Sequence, residues 1–226
     1  MIKYLLRLLI FAVIVFIVWS VGAVLLYKYV PVTVTPLKVI RLFENLPEAG
    51  LSFSSRWVPI EKISPLMIKA VISTEDNNFT EHNGLDYDAI KQAIKDNRRG
   101  KRLRGGSTIT QQTAKNVFCL PSRTWLRKGF ETWFTLLIEM FWGKERIMEV
   151  YLNVIETGVN VYGVQGAARK YYKKDAANLN AYEASMIAAV LPNPRVRNIG
   201  RPSKYMVSRA AQIRRLMSRV GKIELD

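Results

Sequence analysis

The sequence contains one cysteine, Cys119, and one histidine, His82, among 226 residues. A disulfide needs two cysteines, and a structural zinc site needs several cysteine or histidine ligands. The composition therefore excludes a disulfide framework, a Cys/His zinc cluster and a cysteine–histidine nucleophile supported by a second histidine. The chain also has no low-complexity tract and no internal repeat, which excludes collagen-like and solenoid folds.

Acidic residues are scarce, with 18 Asp and Glu against 34 Lys and Arg. The formal net charge is +16 and the sequence pI is about 10.1. Such an excess favours a polyanionic or membrane-surface partner, and composition alone does not separate nucleic acid from anionic lipid. Hydrophobic residues make up 49% of the chain, which is too many for a disordered basic tail.

Residues 8–27 form a stretch of twenty uncharged residues that is rich in Leu, Ile, Val and Phe. At about 1.5 Å per residue, a helix of this length crosses the roughly 30 Å hydrocarbon core of a bilayer. A cleaved signal peptide is the alternative, but the apolar run is long and no small-residue cleavage site follows it. We therefore predict a retained membrane anchor. Lysine and arginine lie on both sides of the stretch, so the positive-inside rule leaves its orientation open.

Proline and glycine signals divide the chain after this anchor. Four prolines interrupt residues 31–60, which are expected to form an extended tether with a short strand at 32–35. Six basic residues and a glycine within 95–104 predict an exposed loop. Gly221 is expected to cap the last helix.

The rest of the chain is predicted to be one mostly α-helical domain. Ser64 before Pro65 is an N-cap signal, and Asn180 three residues before Glu183 has the spacing of a capping box. Asp86 is a further N-cap candidate. The predicted helices are 65–74, 87–97, 107–117, 123–142, 144–153, one from Asn180 that stops at Leu191, and 203–220.

The first polar cluster, 75–84, places the adjacent carboxylates of Glu75 and Asp76 near His82 at the end of a predicted helix. A carboxylate near another negative charge or an apolar wall has a raised pKa, which suits a general acid or base. By composition alone, a solvated helix end is the commoner explanation. Because no second histidine is present, His82 is expected to form structural hydrogen bonds rather than to bind a metal.

The second polar cluster, 105–116, runs from two glycines into a helix. Backbone N–H groups at such a helix N-terminus can bind an anion. Two glycines have the spacing of a nucleotide-binding loop, but the lysine that such a loop requires is absent. On the predicted helix, Ser107, Gln111 and Lys115 share one face, which is either a solvated face or the wall of a polar site.

The third stretch, 123–131, holds three cations and one carboxylate, Glu131, and on a helix this pattern is often only a surface ion-pair face. The next segment, 133–142, contains a single charge in ten residues. It is too short to span a bilayer, so it is either core or a surface that dips into lipid.

Four blocks contain these clusters in a characteristic order and spacing. They are Glu-Asp-x-x-Phe-x-x-His-x-Gly at 75–84, Gly-Ser-Thr-Ile-Thr-Gln-Gln-x-x-Lys-Asn at 106–116, Arg-Lys-x-x-Glu at 127–131 and Lys-x-x-Ile-x-Glu-x-Tyr-Leu-Asn at 144–153. Together they resemble the signature motifs of the peptidoglycan glycosyltransferases, the lipid II polymerases, over roughly 57–195. The chain lacks Ser-x-x-Lys and Lys-Ser/Thr-Gly, so it resembles the monofunctional, membrane-anchored form without a penicillin-binding domain.

The resemblance implies a mostly helical, lysozyme-like fold with a membrane-associated hydrophobic lobe, and an inverting reaction. The 4-hydroxyl of the acceptor lipid II GlcNAc attacks C1 of the donor MurNAc, and undecaprenyl pyrophosphate leaves. By motif, Glu75 is expected to be the general base and Glu131 the second essential carboxylate. Lys115 and Arg123 are expected to contact the donor pyrophosphate. The other polar residues expected to line the cleft are Ser107, Gln112, Asn116 and Lys128.

The resemblance requires no cofactor, although a divalent cation, Mg²⁺ or Mn²⁺, could act near the donor. The expected partners are lipid II, the growing glycan chain, the cytoplasmic membrane and other wall-synthesis proteins, but not nucleic acid. The expected domains are a cytoplasmic stub and transmembrane anchor at 1–30, a tether at 31–56 and the glycosyltransferase domain at 57–226. That domain is expected on the outer, periplasmic face of the inner membrane.

Two other functions compete with this one. A lytic glycosidase would use one carboxyl group as a proton donor to a sugar oxygen, and a carboxylate pair alone does not distinguish it from a transferase. A pyrophosphate leaving group needs cations rather than a general acid, and the neighbouring cations therefore favour transfer. A membrane-anchored nucleic-acid-binding protein would rest on 95–104 and on the basic run from Arg195 to Arg219.

Overall fold

The computed structural model describes residues 1–49, 54–98, 106–122 and 124–226. The described residues are mostly helical and include one two-stranded antiparallel hairpin. Their helices and strands are α1 (Ile2–Tyr29), α2 (Pro36–Ala49), α3 (Pro65–Glu75), α4 (Tyr87–Arg98), α5 (Ile109–Phe118), α6 (Trp125–Phe141), α7 (Lys144–Val154), β1 (Glu156–Gly158), β2 (Val161–Tyr162), α8 (Gly163–Ala167), α9 (Ala181–Val190) and α10 (Lys204–Met217). Short 3₁₀ helices lie at Ile60–Lys62 and Ala176–Asn178, and one π-helical turn lies at Ala168–Tyr172.

Helix α1 is the predicted membrane segment, with 28 residues and a mean hydropathy of 2.9 in its most apolar window. Its length of about 42 Å exceeds the hydrocarbon thickness of a bilayer. Its C-terminal half packs against α6, where the indole N–H of Trp133 donates to Ser20 Oγ at 3.1 Å. The indole N–H of Trp142 donates to the Val24 carbonyl at 2.8 Å. The segment 133–142 is therefore both core and a docking surface for the anchor.

The end of α1 is held by a charged side chain from α7. Arg146 donates to the Tyr27 carbonyl from Nη2 at 2.7 Å and from Nε at 3.1 Å, and to the Val30 carbonyl at 2.7 Å. A helix C-terminus leaves carbonyl groups without intrahelical partners and carries partial negative charge. The guanidinium stabilises it by donating hydrogen bonds to those carbonyls and by its positive charge. This contact fixes the end of α1 to α7.

The core lies where α3, α9 and α10 pack together and α7 runs beneath α5. Apolar side chains such as Met67, Tyr151 and Ile187 are fully buried there. The predicted caps are confirmed: the Ser64 hydroxyl accepts from the Leu66 N–H, and Asn180 and Glu183 form a reciprocal capping box. The Asp86 carboxylate accepts from the Ala89 N–H at 2.8 Å and starts α4.

The prediction of an extended tether over 31–60 is wrong where the chain forms helix α2. Residues 32–35 form no strand. Prolines at 36 and 47 were interpreted as interruptions, but Pro36 occupies the first helical position, where its missing N–H costs nothing. Thr35 caps this helix, since its hydroxyl accepts from the Lys38 N–H at 3.2 Å. The later proline falls in the last turn.

Three smaller expectations also change. Helix α5 begins at Ile109 rather than Ser107, because Thr108 is its N-cap. The predicted cap at Gly221 is wrong: α10 ends at Met217 with Ser218 as its C-cap, and Ile223 and Leu225 pack against the core. Of the predicted loop 95–104, the first four residues belong to α4 and the remainder lies outside the described residues. The hairpin β1–β2 was not predicted.

Candidate active site

Asp76, at the end of α3, joins the first polar cluster to the start of α5. Its Oδ2 accepts from the Ile109 N–H at 3.0 Å, which places a carboxylate at a helix N-terminus. His82 Nε2 lies 2.9 Å from Asp76 Oδ1, and His82 Nδ1 accepts from the Gly84 N–H at 3.1 Å. Because Nδ1 accepts a hydrogen bond, the ring proton lies on Nε2, which donates a hydrogen bond to Asp76. The prediction of a structural role for His82 is confirmed.

Gly84 and Lys144 complete this support. Gly84 has a φ of +84°, and a Cβ there would lie 2.8 Å from both Thr135 Cγ2 and Glu139 Cγ, so only glycine fits. Its carbonyl accepts from the Thr108 hydroxyl at 2.6 Å. The buried Lys144 Nζ donates to the His82 carbonyl at 2.5 Å and to both Glu139 oxygens at 2.9 Å. The loop after Glu75 is thereby held by hydrogen bonds to Thr108, Ile109 and Lys144.

Glu75 is the last residue of α3 and is held from α5. Gln112 Nε2 donates to Glu75 Oε2 at 3.1 Å, and Gln112 Oε1 accepts from the Tyr151 hydroxyl at 3.2 Å. Burial raises the pKa of Glu75, although Gln112 and the cations of Arg209, Lys115 and Arg197 partly oppose the shift. A carboxylate with a raised pKa is a stronger base once it is ionised.

Glu131, buried on α6, is paired with two cations one turn earlier in the same helix. Arg127 Nη1 binds its Oε2, and Lys128 Nζ binds its Oε1. The Glu131 side chain is only 3% exposed, so both charges are strongly felt. Arg127 also lines the larger cavity described below. The Glu131 carboxylate therefore holds the Arg127 side chain in the lining of that cavity.

The residues do not fit a divalent cation at Glu131, because both of its oxygens are already bound by cationic side chains. Ligand atoms of Asp76, His82 and Asp86 lie within 4.8 Å of one another, a spacing that a cation could use. However, the His82 nitrogen that faces Asp76 carries a proton, and a metal ligand needs that nitrogen unprotonated. Neither group of residues therefore fits a divalent cation.

A cavity of about 440 Å³ lies beside Gln112, between α5, α2 and the start of β1. Its lining includes three cations, Arg41, Lys115 and Arg127, and the amides of Gln112 and Asn116. The protein around Lys115 displaces part of its hydration and lowers its pKa, while Glu131 and Glu75 oppose that shift. Such a concave, cationic surface suits a doubly charged anion.

Cys119 lines the same cavity, but burial raises the pKa of its thiol to about 11. The thiol is therefore protonated at neutral pH and is a poor nucleophile.

A second cavity of about 230 Å³ lies on the other side of Glu75. Glu75, Asn78, Ser107 and Thr108 belong to its lining. The Glu75–Gln112 hydrogen bond therefore joins the two cavities, with the carboxylate facing the smaller one.

A third cavity, of about 790 Å³, is apolar and lies between α1, α2 and α5. Trp19, Leu26, Val39 and Phe118 belong to its lining, and it shares Leu120 with the cationic cavity. An apolar space thus opens beside the cationic one at the level of the anchor.

The structure brings most of the predicted site residues together. Glu75, Gln112, Lys115, Asn116 and Ser107 surround the two polar cavities, and Glu131 with Lys128 supports them from α6. Arg123 lies outside the described residues. The predicted polar face of α5 is wrong in one respect, because Gln111 is buried in the capping box of Thr108.

Sequence reasoning missed four contributors to the site. Arg41 on α2 and Glu156 on β1 line the cationic cavity. Arg197 and Arg209, first considered as part of a nucleic-acid-binding run, lie close enough to Glu75 to favour its ionised form. Their position depends on the packing of α9 and α10 against α3, which no local pattern specifies.

Chemically, the site offers one buried base beside a cluster of cations. Glu131 is ion-paired with Arg127 and Lys128 and is therefore not free to protonate a leaving group. This arrangement suits an enzyme that activates a hydroxyl group beside an anionic leaving group.

Comparison with known proteins identifies the class further. Residues 44–218 match the transglycosylase family. The chain is 57% identical to the biosynthetic peptidoglycan transglycosylase of Bdellovibrio bacteriovorus over 211 residues, covering 93% of this chain and 83% of the relative. It is 50% identical to that of Bacteroides thetaiotaomicron over 204 residues, with coverage of 90% and 82%. It is 47% identical to that of Pseudomonas fluorescens over 222 residues, with coverage of 98% and 92%. The chain belongs to the transglycosylase family.

Proposed function

We propose that the two polar cavities divide the work of this peptidoglycan glycosyltransferase, which polymerises lipid II into linear glycan strands. The larger, cationic cavity holds the donor pyrophosphate, and the smaller cavity admits the GlcNAc of the acceptor. The observation that carries this assignment is the position of Glu75. Its carboxylate lies in the lining of the smaller cavity and is hydrogen-bonded to Gln112 in the lining of the larger one.

Glu75 acts as the general base. The acceptor 4-hydroxyl transfers its proton to the carboxylate as its oxygen attacks C1 of the donor MurNAc, and the bond from C1 to the pyrophosphate oxygen breaks. The attacking oxygen approaches from the face opposite the leaving group, so the configuration at C1 inverts. The raised pKa of Glu75 makes its carboxylate a stronger base once it is ionised.

The leaving pyrophosphate keeps the electron pair of the broken bond. Lys115 and Arg127 line the cavity where this charge develops, and they stabilise it without proton transfer. Glu131 acts on the reaction through Arg127 and Lys128, whose side chains it orients. The second essential carboxylate is therefore a positioning residue, and no general acid is needed.

The lipid part of the substrate has its own place in this assignment. The apolar cavity between α1 and α2 shares Leu120 with the cationic cavity, so an isoprenoid chain leaving the pyrophosphate passes directly into it. Two apolar residues of α6, Leu136 and Met140, are exposed. These surfaces favour a domain partly immersed in the lipid headgroup region.

The placement in the cell follows from the substrate. The sugar head of lipid II is polymerised on the outer face of the cytoplasmic membrane, so we assign the domain after α1 to that face. Residues 1–30 then form the cytoplasmic stub and anchor, and the glycosyltransferase domain extends over 57–226. Helix α2, within the region 31–56, belongs to the active site rather than to a simple tether. Association with other wall-synthesis proteins stays a prediction.

The test is an assay of the purified full-length chain with labelled lipid II in detergent. We expect β-linked glycan strands and one undecaprenyl pyrophosphate released for each bond formed. A lytic glycosidase would instead release soluble fragments from purified sacculi and build no polymer. Fragments without polymer would therefore overturn the assignment.

A further inference from the structure

Glu156, the first residue of β1, carries a buried carboxylate that the reaction above does not use. Its side chain is only 9% exposed, and its Oε1 accepts no hydrogen bond from the described residues. Its Oε2 lies 3.9 Å from Arg41 Nε, which is too far for a hydrogen bond. Arg41 Nε is itself buried and donates no hydrogen bond within the described residues. A carboxylate oxygen and a guanidinium N–H are thus both left without partners at one place.

This arrangement is unfavourable in the absence of a ligand. Burial raises the pKa of Glu156, although Arg41 and Arg195 favour its ionised form and Glu44 opposes it. A buried polar group without a hydrogen-bond partner destabilises a fold, and a buried charge does so more strongly. Groups of this kind persist at sites where another molecule completes them.

The location indicates which molecule that is. Both Glu156 and Arg41 line the cationic cavity, together with Lys115 and Arg127. The cavity volume of about 440 Å³ exceeds what two phosphate groups fill, so it has room for a further group. A cationic ligand is disfavoured there, because Arg41, Arg195 and Lys115 already act on this carboxylate. A neutral group with both hydrogen-bond donors and acceptors fits.

We propose that Glu156 and Arg41 form a recognition subsite for the sugar attached to the donor pyrophosphate. The Glu156 carboxylate accepts a hydrogen bond from a hydroxyl or amide N–H of that sugar, and the Arg41 guanidinium donates to an oxygen of the same sugar. This inference rests on the proposed function, since it requires the pyrophosphate to lie between Lys115 and Arg127. It makes α2 and β1 a wall that distinguishes a sugar-bearing lipid pyrophosphate from a bare one.

The experiment compares two probes in the cationic cavity. Full-length chains in detergent carry Glu75→Gln so that no turnover occurs, and labelled undecaprenyl pyrophosphate, which has no sugar, is displaced by unlabelled lipid II. The variants are Glu156→Leu, which removes both oxygens, and Glu156→Gln, which keeps one acceptor. Glu61→Gln, an exposed acid on the first 3₁₀ helix, is the matched control.

We expect Glu156→Leu to weaken displacement by lipid II about tenfold or more, as loss of a charge-assisted hydrogen bond does. Glu156→Gln should fall between Glu156→Leu and the parent. Binding of undecaprenyl pyrophosphate should stay unchanged, and the control should equal the parent. Because leucine removes an unpaired buried carboxylate, the thermal midpoint of Glu156→Leu should not fall.

Equal weakening of both probes, together with a lower thermal midpoint, would show a structural role and overturn the inference. Unchanged displacement by lipid II in Glu156→Leu would overturn it as well. The chain without these substitutions is assayed for lipid II polymerisation in parallel, which separates the two claims. Polymerisation with unchanged displacement refutes the subsite alone. A chain that neither polymerises lipid II nor binds undecaprenyl pyrophosphate refutes the proposed function, and the subsite with it.

Discussion

Gln112 Nε2 donates a 3.1 Å hydrogen bond to Glu75 Oε2, and this contact links the base to the cavity assigned to the donor. The amide cannot turn over freely, because its Oε1 accepts from the hydroxyl of the fully buried Tyr151. Burial raises the pKa of Tyr151 far above its usual value, so the phenol stays a donor. The side chains of Gln112 on α5 and Tyr151 on α7 thus set the orientation of the Glu75 carboxylate on α3.

The first prediction concerns the pH dependence that Gln112 imposes. The Gln112→Met variant loses a hydrogen bond that lowers the pKa of Glu75, so that pKa should rise further. A base must be unprotonated to act, and activity is lost as the pH falls through its pKa. The acid limb of kcat/KM should therefore move to higher pH. An acid limb identical to that of the parent would refute this account of Gln112.

The second prediction concerns Glu131. Glu131→Gln leaves Arg127 and Lys128 without their shared counter-charge. Removal of one partner from a buried ion pair commonly costs about 3 kcal/mol or more, and we expect about 2 kcal/mol because Lys128 is 37% exposed. Misplacement of the two cations should lower kcat/KM by roughly a hundredfold.

The measurements for Glu131 are the thermal midpoint in detergent and the rate of lipid II polymerisation. Glu145→Gln, an exposed acid at the start of α7, is the control and should change neither quantity. Parental activity in Glu131→Gln would contradict the positioning role.

The third prediction compares a buried ion pair with an exposed one. Lys144→Met leaves Glu139, 9% exposed, as an unpaired buried charge, and should lower the free energy of unfolding by about 3 kcal/mol. Lys91→Met breaks a pair with Asp88 whose side chains are 77% and 91% exposed, and should change it by less than about 0.5 kcal/mol. Equal thermal midpoints of the two variants in detergent would show that Lys144 does not support the loop after Glu75.

The fourth prediction concerns the anchor. Deletion of residues 1–30 removes the partners of Trp133 and Trp142 and uncovers the apolar face of α6. Exposed apolar patches of this kind drive association in water. Sedimentation velocity should show oligomers of the shortened chain without detergent and dispersal with it. A monomer in detergent-free buffer with the parental thermal midpoint would contradict the docking of α1.

The sequence predicted the elements whose signals are local. The caps at Ser64, Asp86 and Asn180 and the apolar run of α1 each depend on neighbouring residues, and each is found. Helix α2 was missed because proline breaks a helix at most positions but not at its first. The sequence alone does not say which of these positions Pro36 occupies.

The candidate site was predicted through a family resemblance rather than through residue chemistry. On residue chemistry alone, Glu75 fits a solvated helix end as well as it fits a catalytic base. Glu131 fits a surface ion pair equally well. What distinguishes them is burial and the approach of Gln112, Arg127 and Lys128, which tertiary packing decides. No local sequence pattern marks Glu156, because its lack of a hydrogen-bond partner depends on how α2 lies near β1.

The central claim is that Glu75 is the base for glycan polymerisation, and labelled lipid II tests it most directly. The experiment compares the full-length chain with Glu75→Gln and with the exposed neighbour control Glu81→Gln at equal protein concentration. Thermal midpoints are measured first, to show that both variants are folded like the parent. We predict glycan strands from the parent and from Glu81→Gln, and none from Glu75→Gln. Substantial glycan synthesis by Glu75→Gln would contradict the account.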